Sequence, residues 1–205
     1  MKNFEFKNYK DFIYYIKNLK EINPIILVEG KRKVKEKDVD KIKQFGKKIA
    51  KDLSHCIFRT GNAGGSDQYF IDGILKIKNV DIEYIVPYKK HRNKHMYETA
   101  KCFSIDTNIT KEIIDLTKQS RPNMSKIIDY YLQGGKSGLT AKVRYLLRDT
   151  MKVTGMVNKI NKGSLAILYV DEKNKYSGGT GHTLQICEYL NIPYITQKYW
   201  LNWVS

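Results

Sequence analysis

Residues 165–183 read LAILYVDEKNKYSGGTGHT, and this stretch decides the fold. Leu165 to Val170 is a short apolar run of the kind a fully buried parallel strand requires. A polar loop follows, then Ser177-Gly178-Gly179-Thr180-Gly181-His182-Thr183, then a helical pattern from about Gly181 to Leu190. A strand that passes through a glycine-rich loop into a helix is the repeating unit of an α/β sheet.

The same order recurs upstream. Residues 24–30, PIILVEG, form an apolar run ending in glycine and predict a second buried strand, followed by Lys31-Arg32. Ile42, Phe45, Ile49 and Leu53 then keep helical spacing from Val39 onward. Residues 55–58, HCIF, predict a strand that runs directly into the loop Arg59–Asp67. A helix is expected beyond it through Tyr69, Phe70, Gly73, Ile74 and Ile77. Residues 82–86, IEYIV, predict another strand, stopped by Pro87, and a last short one lies near residues 193–196. The opening segment, Phe4 to Leu19, places its aromatic and aliphatic residues near one helix face. From residue 89 to 161 the chain is basic and mostly helical in pattern, with a glycine-rich break at 134–138. Strands alternating with helices predict a Rossmann-like three-layer α/β sandwich with a mostly parallel sheet and right-handed crossovers. One domain over 1–205 is expected, its core spanning about 24–197, with a helical elaboration at about 103–140.

Composition narrows the function classes. The chain has 205 residues, 41% hydrophobic and 12% aromatic, which are globular values that exclude wholesale disorder. No run of 18 apolar residues is present, and the basic N-terminal stretch lacks the pattern of a secretion signal. Cys56, Cys102 and Cys187 are odd in number and widely spaced, as suits a reduced cytoplasmic protein without a structural zinc. Lys and Arg total 37 against 21 Asp and Glu, a net charge of +16. Such a field attracts polyanionic partners; the Lys-, Asn-, Ile- and Tyr-rich composition throughout accounts for it equally well as compositional drift.

In open α/β sheets ligands bind beyond the carboxyl ends of the strands. Three strand ends finish there in small or glycine-rich loops: Gly30-Lys31-Arg32, Thr60–Asp67 and Ser177–Thr183. Glycine lets backbone N–H groups approach a phosphate, and the following helix presents its positive end. A tight turn with helix-capping residues explains either long loop alone; two of them in strand-to-helix context point to a nucleotide-type ligand. Thr60, Gly61, Asn62 and Gly64 are the expected contacts at one loop. Ser177, Gly178, Gly179, Thr180, Gly181 and Thr183 are those at the other. Lys31, Arg32 and Arg148 are candidates to neutralise charge. Asp67 is expected to brace its loop, and His182 either to donate to phosphate or to cap its helix.

These residues resemble a known family. GKR at 30–32, RTGNAGGSDQYFIDGI at 59–74, YIVPYKKHR at 84–92, LLRD at 146–149 and YSGGTGHTLQICEYLNIPYI at 176–195 are similar to the SLOG superfamily. That group includes the cores of DNA-processing protein A and the Lonely-guy phosphoribohydrolases. The resemblance covers nearly the whole chain, although Lys31 stands where serine is usual and Asn62 where a second glycine is usual. It implies a homodimer and three functional alternatives. Some SLOG domains sense nucleotide-derived signals in bacterial defence systems, which implies a binding module that senses or sequesters such a ligand. DNA-processing protein A implies single-stranded DNA binding, for which Tyr84, Tyr88, Lys89, Lys90, His91, Arg92 and the C-terminal Tyr194, Tyr199, Trp200 and Trp203 offer basic and stacking groups; core packing is the competing reading of the C-terminal aromatics. Lonely-guy enzymes imply N-glycosidic hydrolysis with Arg148, but Gln185 stands at the catalytic glutamate and Glu188 lies one turn beyond.

Three further signals are weaker. Gly134-Gly135-Lys136-Ser137 resembles the end of a phosphate-binding Walker motif, but Tyr130 occupies its first glycine and no strand is predicted before it. His91 and His95 lack a complete ligand set with Cys102, so no metal site is expected. Asp171-Glu172 reads as a solvated loop start rather than a Mg²⁺ site.

Overall fold

The structure, a computed structural model, describes residues 6–107 and 109–204. In chain order it comprises α1 (Tyr9–Lys17), β1 (Ile25–Gly30), α2 (Glu36–Asp52), β2 (Ile57–Thr60), α3 (Ser66–Ile74), β3 (Asp81–Val86), β4 (Lys101–Ser104), α4 (Lys111–Ser120), α5 (Ser125–Leu132), α6 (Thr140–Thr154), β5 (Leu165–Tyr169), α7 (Gly178–Tyr189), β6 (Tyr194–Thr196) and α8 (Gln197–Trp200). The six strands form one sheet in the order β4-β3-β2-β1-β5-β6. Every neighbouring pair is parallel. The chain builds outward from β1 to β4, then returns to β1's other side. The order therefore reverses between β1 and β5, and that is where a ligand crevice opens in such sheets.

The layers follow from strand periodicity. All of β1 and β5 is buried, as a strand covered on both faces must be. Alternate residues point to opposite layers. Ile26, Val28, Leu165, Ile167 and Tyr169 pack with Phe12 of α1, Phe45 of α2 and Phe70 of α3. Ile25, Leu27, Ala166 and Leu168 pack with Val153 of α6 and with Leu184, Ile186 and Cys187 of α7. A third cluster seats α4, α5 and α6, through Ile113, Ile128, Val143 and Leu147, on Ile85 of β3. The architecture is thus the expected Rossmann-like three-layer sandwich, with a sheet that is wholly rather than mostly parallel.

The expected helix from Phe4 to Leu19 is shorter, α1 starting after Asn8, whose side chain accepts from the Asp11 amide at 3.0 Å; Phe4 lies outside the described residues. Arg59 and Thr60 belong to β2 rather than to the loop. The strand β4 was not predicted: its sequence, KCFS, offers neither an apolar run nor alternation, because it is an edge strand with two exposed residues. Phe103 and Ser104 accordingly belong to the sheet, and the helical elaboration begins after them. Of the C-terminal aromatics, Trp200 is core and Trp203 packs against the core, whereas Tyr194 is half-buried and Tyr199 exposed. Trp200 stacks on Phe45 at 5.1 Å and donates its indole N–H to the Leu168 carbonyl, and Trp203 packs against Phe12 at 5.3 Å.

Two glycines bring α2 and α3 together. A Cβ on Gly73 would lie 2.0 Å from the Lys43 carbonyl oxygen, and one on Gly46 would lie 2.5 Å from that of Phe70. Glycine to alanine inside a helix ordinarily stabilises by about 1 kcal/mol. Here the obstacle is backbone, so Gly73→Ala is expected to destabilise by about 1–3 kcal/mol. Urea unfolding checks the sign; a stabilised variant would contradict the close approach.

Candidate ligand crevice

The loop after β2 is braced from within. Asp67, at the start of α3, accepts from the Gly30 amide at 3.1 Å, the Thr60 hydroxyl at 3.0 Å and the Ala63 amide at 3.2 Å. Asp67 therefore has the bracing role its sequence position suggested, and it ties β1 to the loop. Ser66 donates its hydroxyl to the Lys31 carbonyl at 2.8 Å. Asn62 adopts φ +54°, a left-handed conformation that asparagine tolerates well, and its Nδ2 donates to the carbonyls of His91 and Arg92. Gly65 has φ +80°, and a Cβ there would lie 2.2 Å from the Arg32 carbonyl oxygen. The Thr60 hydroxyl is thus spent on bracing the loop, and the Asn62 amide on holding the β3–β4 connection against it.

At the other loop, α7 begins at Gly178, three residues earlier than predicted, with φ +65°. The first helical bond runs from the Gly181 amide to the Ser177 carbonyl at 3.1 Å. The amides of Gly178, Gly179 and Thr180 precede it and have no intrahelical acceptor. Gly181 is required by packing, since a Cβ there would lie 2.1 Å from the Tyr176 backbone. Arg121, which sequence reasoning missed, fastens this loop: Nη2 donates to the Tyr176 carbonyl at 3.1 Å and the Gly178 carbonyl at 3.4 Å, and Nη1 donates to Gln185 Oε1.

His182 is not a ligand donor. It is fully buried, with Nδ1 2.7 Å from Ser120 Oγ and Nε2 2.9 Å from Thr150 Oγ1 and 3.1 Å from the Leu146 carbonyl oxygen. A carbonyl only accepts, which assigns the proton to Nε2 and leaves Nδ1 to accept from Ser120. Thr183 is likewise fully buried, and its hydroxyl has no partner among the described residues. Burial holds the His182 imidazole down at about 3. An unfolded imidazole titrates near ~6.5, so protonation favours the unfolded chain. The stability contribution is complete above about pH 6.5 and is lost as pH falls from there toward 3, at up to ~1.4 kcal/mol per pH unit. Between pH 7 and 5 the unfolding free energy of His182→Gln is expected to fall less steeply than that of the parent; identical slopes would sink this account.

Beneath the crevice lies a buried charge network. Arg148 Nη1 donates to the Gly61 carbonyl at 2.6 Å, and its Nε pairs with Asp149 Oδ1 at 2.9 Å. Lys152 bridges Asp149 Oδ1, at 3.0 Å, to Glu29. Arg59 grips Glu83 through Nε at 2.9 Å and Nη2 at 2.6 Å and donates Nη1 to the Lys152 carbonyl. Arg148 is only 5% exposed, so its charge is committed to the scaffold rather than offered to a ligand, contrary to the sequence reading. Asp149 reaches the start of α7, where its Oδ2 would lie 2.8 Å from a Cβ on Gly179. Burial pushes its carboxyl up to about 6, against the pull of Arg148.

The accessible cations are others. Lys31 is partly exposed and pairs with Asp171 at 3.4 Å. Arg32 is exposed, with its guanidinium 5.8 Å from the centre of the Tyr145 ring. Arg92, from the β3–β4 connection, lies against Gly64, where a Cβ would be 2.9 Å from Nη1. Among the described residues neither Arg32 nor Arg92 has a carboxylate partner. The glycosidase residues are not assembled. Glu188 Oε1 accepts from Tyr194 at 2.8 Å, Lys175 at 3.2 Å and Tyr176 at 3.3 Å, while Arg148 is held at Gly61. The segment 134–137 follows α5 rather than a strand. Asp171 and Glu172 pair with Lys31 and Lys35. Among the described residues no group of three or more His, Cys, Asp or Glu is placed to hold a metal, and no helix is long and apolar enough to cross a membrane.

No family model, curated protein or solved structure matches the chain. The functional argument therefore rests on the fold and on the geometry of this crevice.

Proposed function

We propose that this chain is a nucleotide-binding module of the SLOG type, holding a phosphate at the start of α7, across the crevice from the Gly61–Gly65 loop. The observation that carries the reading is the position of the free amides of Gly178, Gly179 and Thr180. They stand beside the point where the sheet order reverses. An anion there gains amide hydrogen bonds and about 0.3–1 kcal/mol from the helix dipole. The net charge of +16 steers anionic ligands inward. Binding rather than turnover is favoured because Gln185 and Glu188 are both engaged by other side chains.

The test is a thermal-shift screen against linear and cyclic nucleotides, NAD, ADP-ribose derivatives and a short single-stranded oligonucleotide, followed by chromatography of each hit. A ligand at a hundred times its Kd raises stability by about 2.7 kcal/mol. A nucleotide hit recovered intact supports the module. Release of free base would make the chain a glycosidase, and a response to the oligonucleotide alone would make it a DNA-binding protein.

A further inference from the structure

The connection from β3 to β4 folds back over the β2 loop, and Asn62 holds it there through the carbonyls of His91 and Arg92. His91 is 6% exposed, and its Nδ1 is buried with no partner among the described residues. Its ring sits edge-on to Tyr88 at 5.0 Å and to Tyr145 at 5.9 Å. Arg92 Nε is also buried without a partner. Buried polar groups in native proteins are nearly always satisfied, so two orphaned nitrogens on adjacent residues ask for an acceptor or a donor from outside the chain. Burial and the positive charges of Arg148, Arg92 and Arg32 together hold the His91 imidazole down at about 4. Three guanidiniums thus bear on one neutral ring, and only that of Arg148 has a carboxylate partner. Unneutralised like charges gathered around a neutral imidazole are the arrangement that an incoming anion stabilises.

The structure assigns to Arg32, Arg92 and His91 a second anion subsite, for a phosphoryl group, beside Tyr145. We infer that the ligand is a nucleotide carrying more than one phosphoryl group. This deepens the reading above and rests on it for the first phosphate. Arg148 joins the two subsites. Its guanidinium lies 5.5 Å from the centre of the same Tyr145 ring that Arg32 approaches, and its Asp149 partner reaches Gly179. One arginine side chain thus separates the start of α7 from the second subsite. Arg32 is exposed and Arg92 half-buried, so each can be replaced by a shorter polar residue, provided the one at 92 tolerates the left-handed backbone at φ +49°.

The experiment is calorimetric titration of the whole chain with AMP and with ADP, in the parent, Arg32→Gln and Arg92→Asn. ADP is expected to bind the parent about tenfold or more tighter than AMP. Each variant is expected to bring that ratio to within about threefold of unity, with AMP affinity little changed. An unchanged ratio in both variants, or an equal loss for AMP and ADP, overturns the subsite. If the parent binds neither nucleotide, the first-phosphate reading fails for adenine nucleotides, and inorganic pyrophosphate still decides the second. Followed by NMR of the imidazole, pyrophosphate should raise the His91 titration from about 4 toward the ordinary range in the parent and not in Arg92→Asn. No movement in the parent overturns the proposal.

Discussion

Replacing Arg59 with methionine is expected to destabilise the fold by about 3–5 kcal/mol. Arg59 is fully buried, and the Glu83 side chain it pairs with is 8% exposed. They are register partners on β2 and β3, joined by two charge-assisted hydrogen bonds. Methionine fills the space but leaves a carboxylate in a low-dielectric interior and takes a donor from the Lys152 carbonyl. The pair as a unit is worth much less than either half, because attraction and desolvation nearly cancel. The double variant Arg59→Met/Glu83→Leu should therefore recover most of the loss. Urea unfolding of the two singles and the double closes a mutant cycle. A single-variant loss below about 1 kcal/mol would mean that the pair is far better solvated than its burial indicates.

Gly178→Asp is expected to keep the fold and weaken nucleotide binding by about a hundredfold or more, at least 2.7 kcal/mol. Aspartate is among the residues that tolerate φ +65°, a Cβ at Gly178 meets nothing within 4 Å, and an acidic group in a helix's first turn favours the dipole. The same carboxylate competes with a phosphate for the amides of Gly178, Gly179 and Thr180. Gly179 is a poorer position for this probe, since its Cβ would crowd Asp149 and confuse packing with binding. Calorimetry with a hit from the nucleotide screen, alongside a melting curve, separates the two effects. Unchanged affinity in a stable variant would move the phosphate away from α7.

How much of this was legible in the sequence depends on where each residue's partner lies. PIILVEG and LAILYV announce buried strands because both faces of β1 and β5 are covered and Glu29 is the one charged residue in either strand. KCFS announces nothing, because an edge strand needs no apolar run. The glycine loops were visible because closeness of backbone to backbone demands glycine locally, as at Gly65 and Gly181. His182 was misplaced because its partners, Ser120, Thr150 and Leu146, come from two helices far along the chain. Arg148 was found but misassigned, since no local signal ties it to the Gly61 carbonyl. Tyr88 to Arg92 was noticed as basic and aromatic; its position against the β2 loop depends on Asn62, whose side-chain bonds cross about 30 residues. Asp149 and Lys152 carried one usable signal, charge among the apolar positions Val143, Leu146, Leu147, Met151 and Val153 that mark the buried face of α6.

The sheet order has a consequence for synthesis. β1 emerges well before β5, one of its two neighbours, and the Ile25 amide meets Ser164 across 139 residues of chain. Contacts that distant close slowly and late. Until residue 169 has left the ribosome, a nascent chain displays the apolar strand Ile25–Gly30 with one edge unpaired, and the face that α7 helps to cover stays open until residue 189 follows. That is the surface that seeds strand-to-strand association between chains. The first of the six strands to be made is thus among the last to be fully paired, and the interval of greatest vulnerability spans translation of the helices α4 to α6.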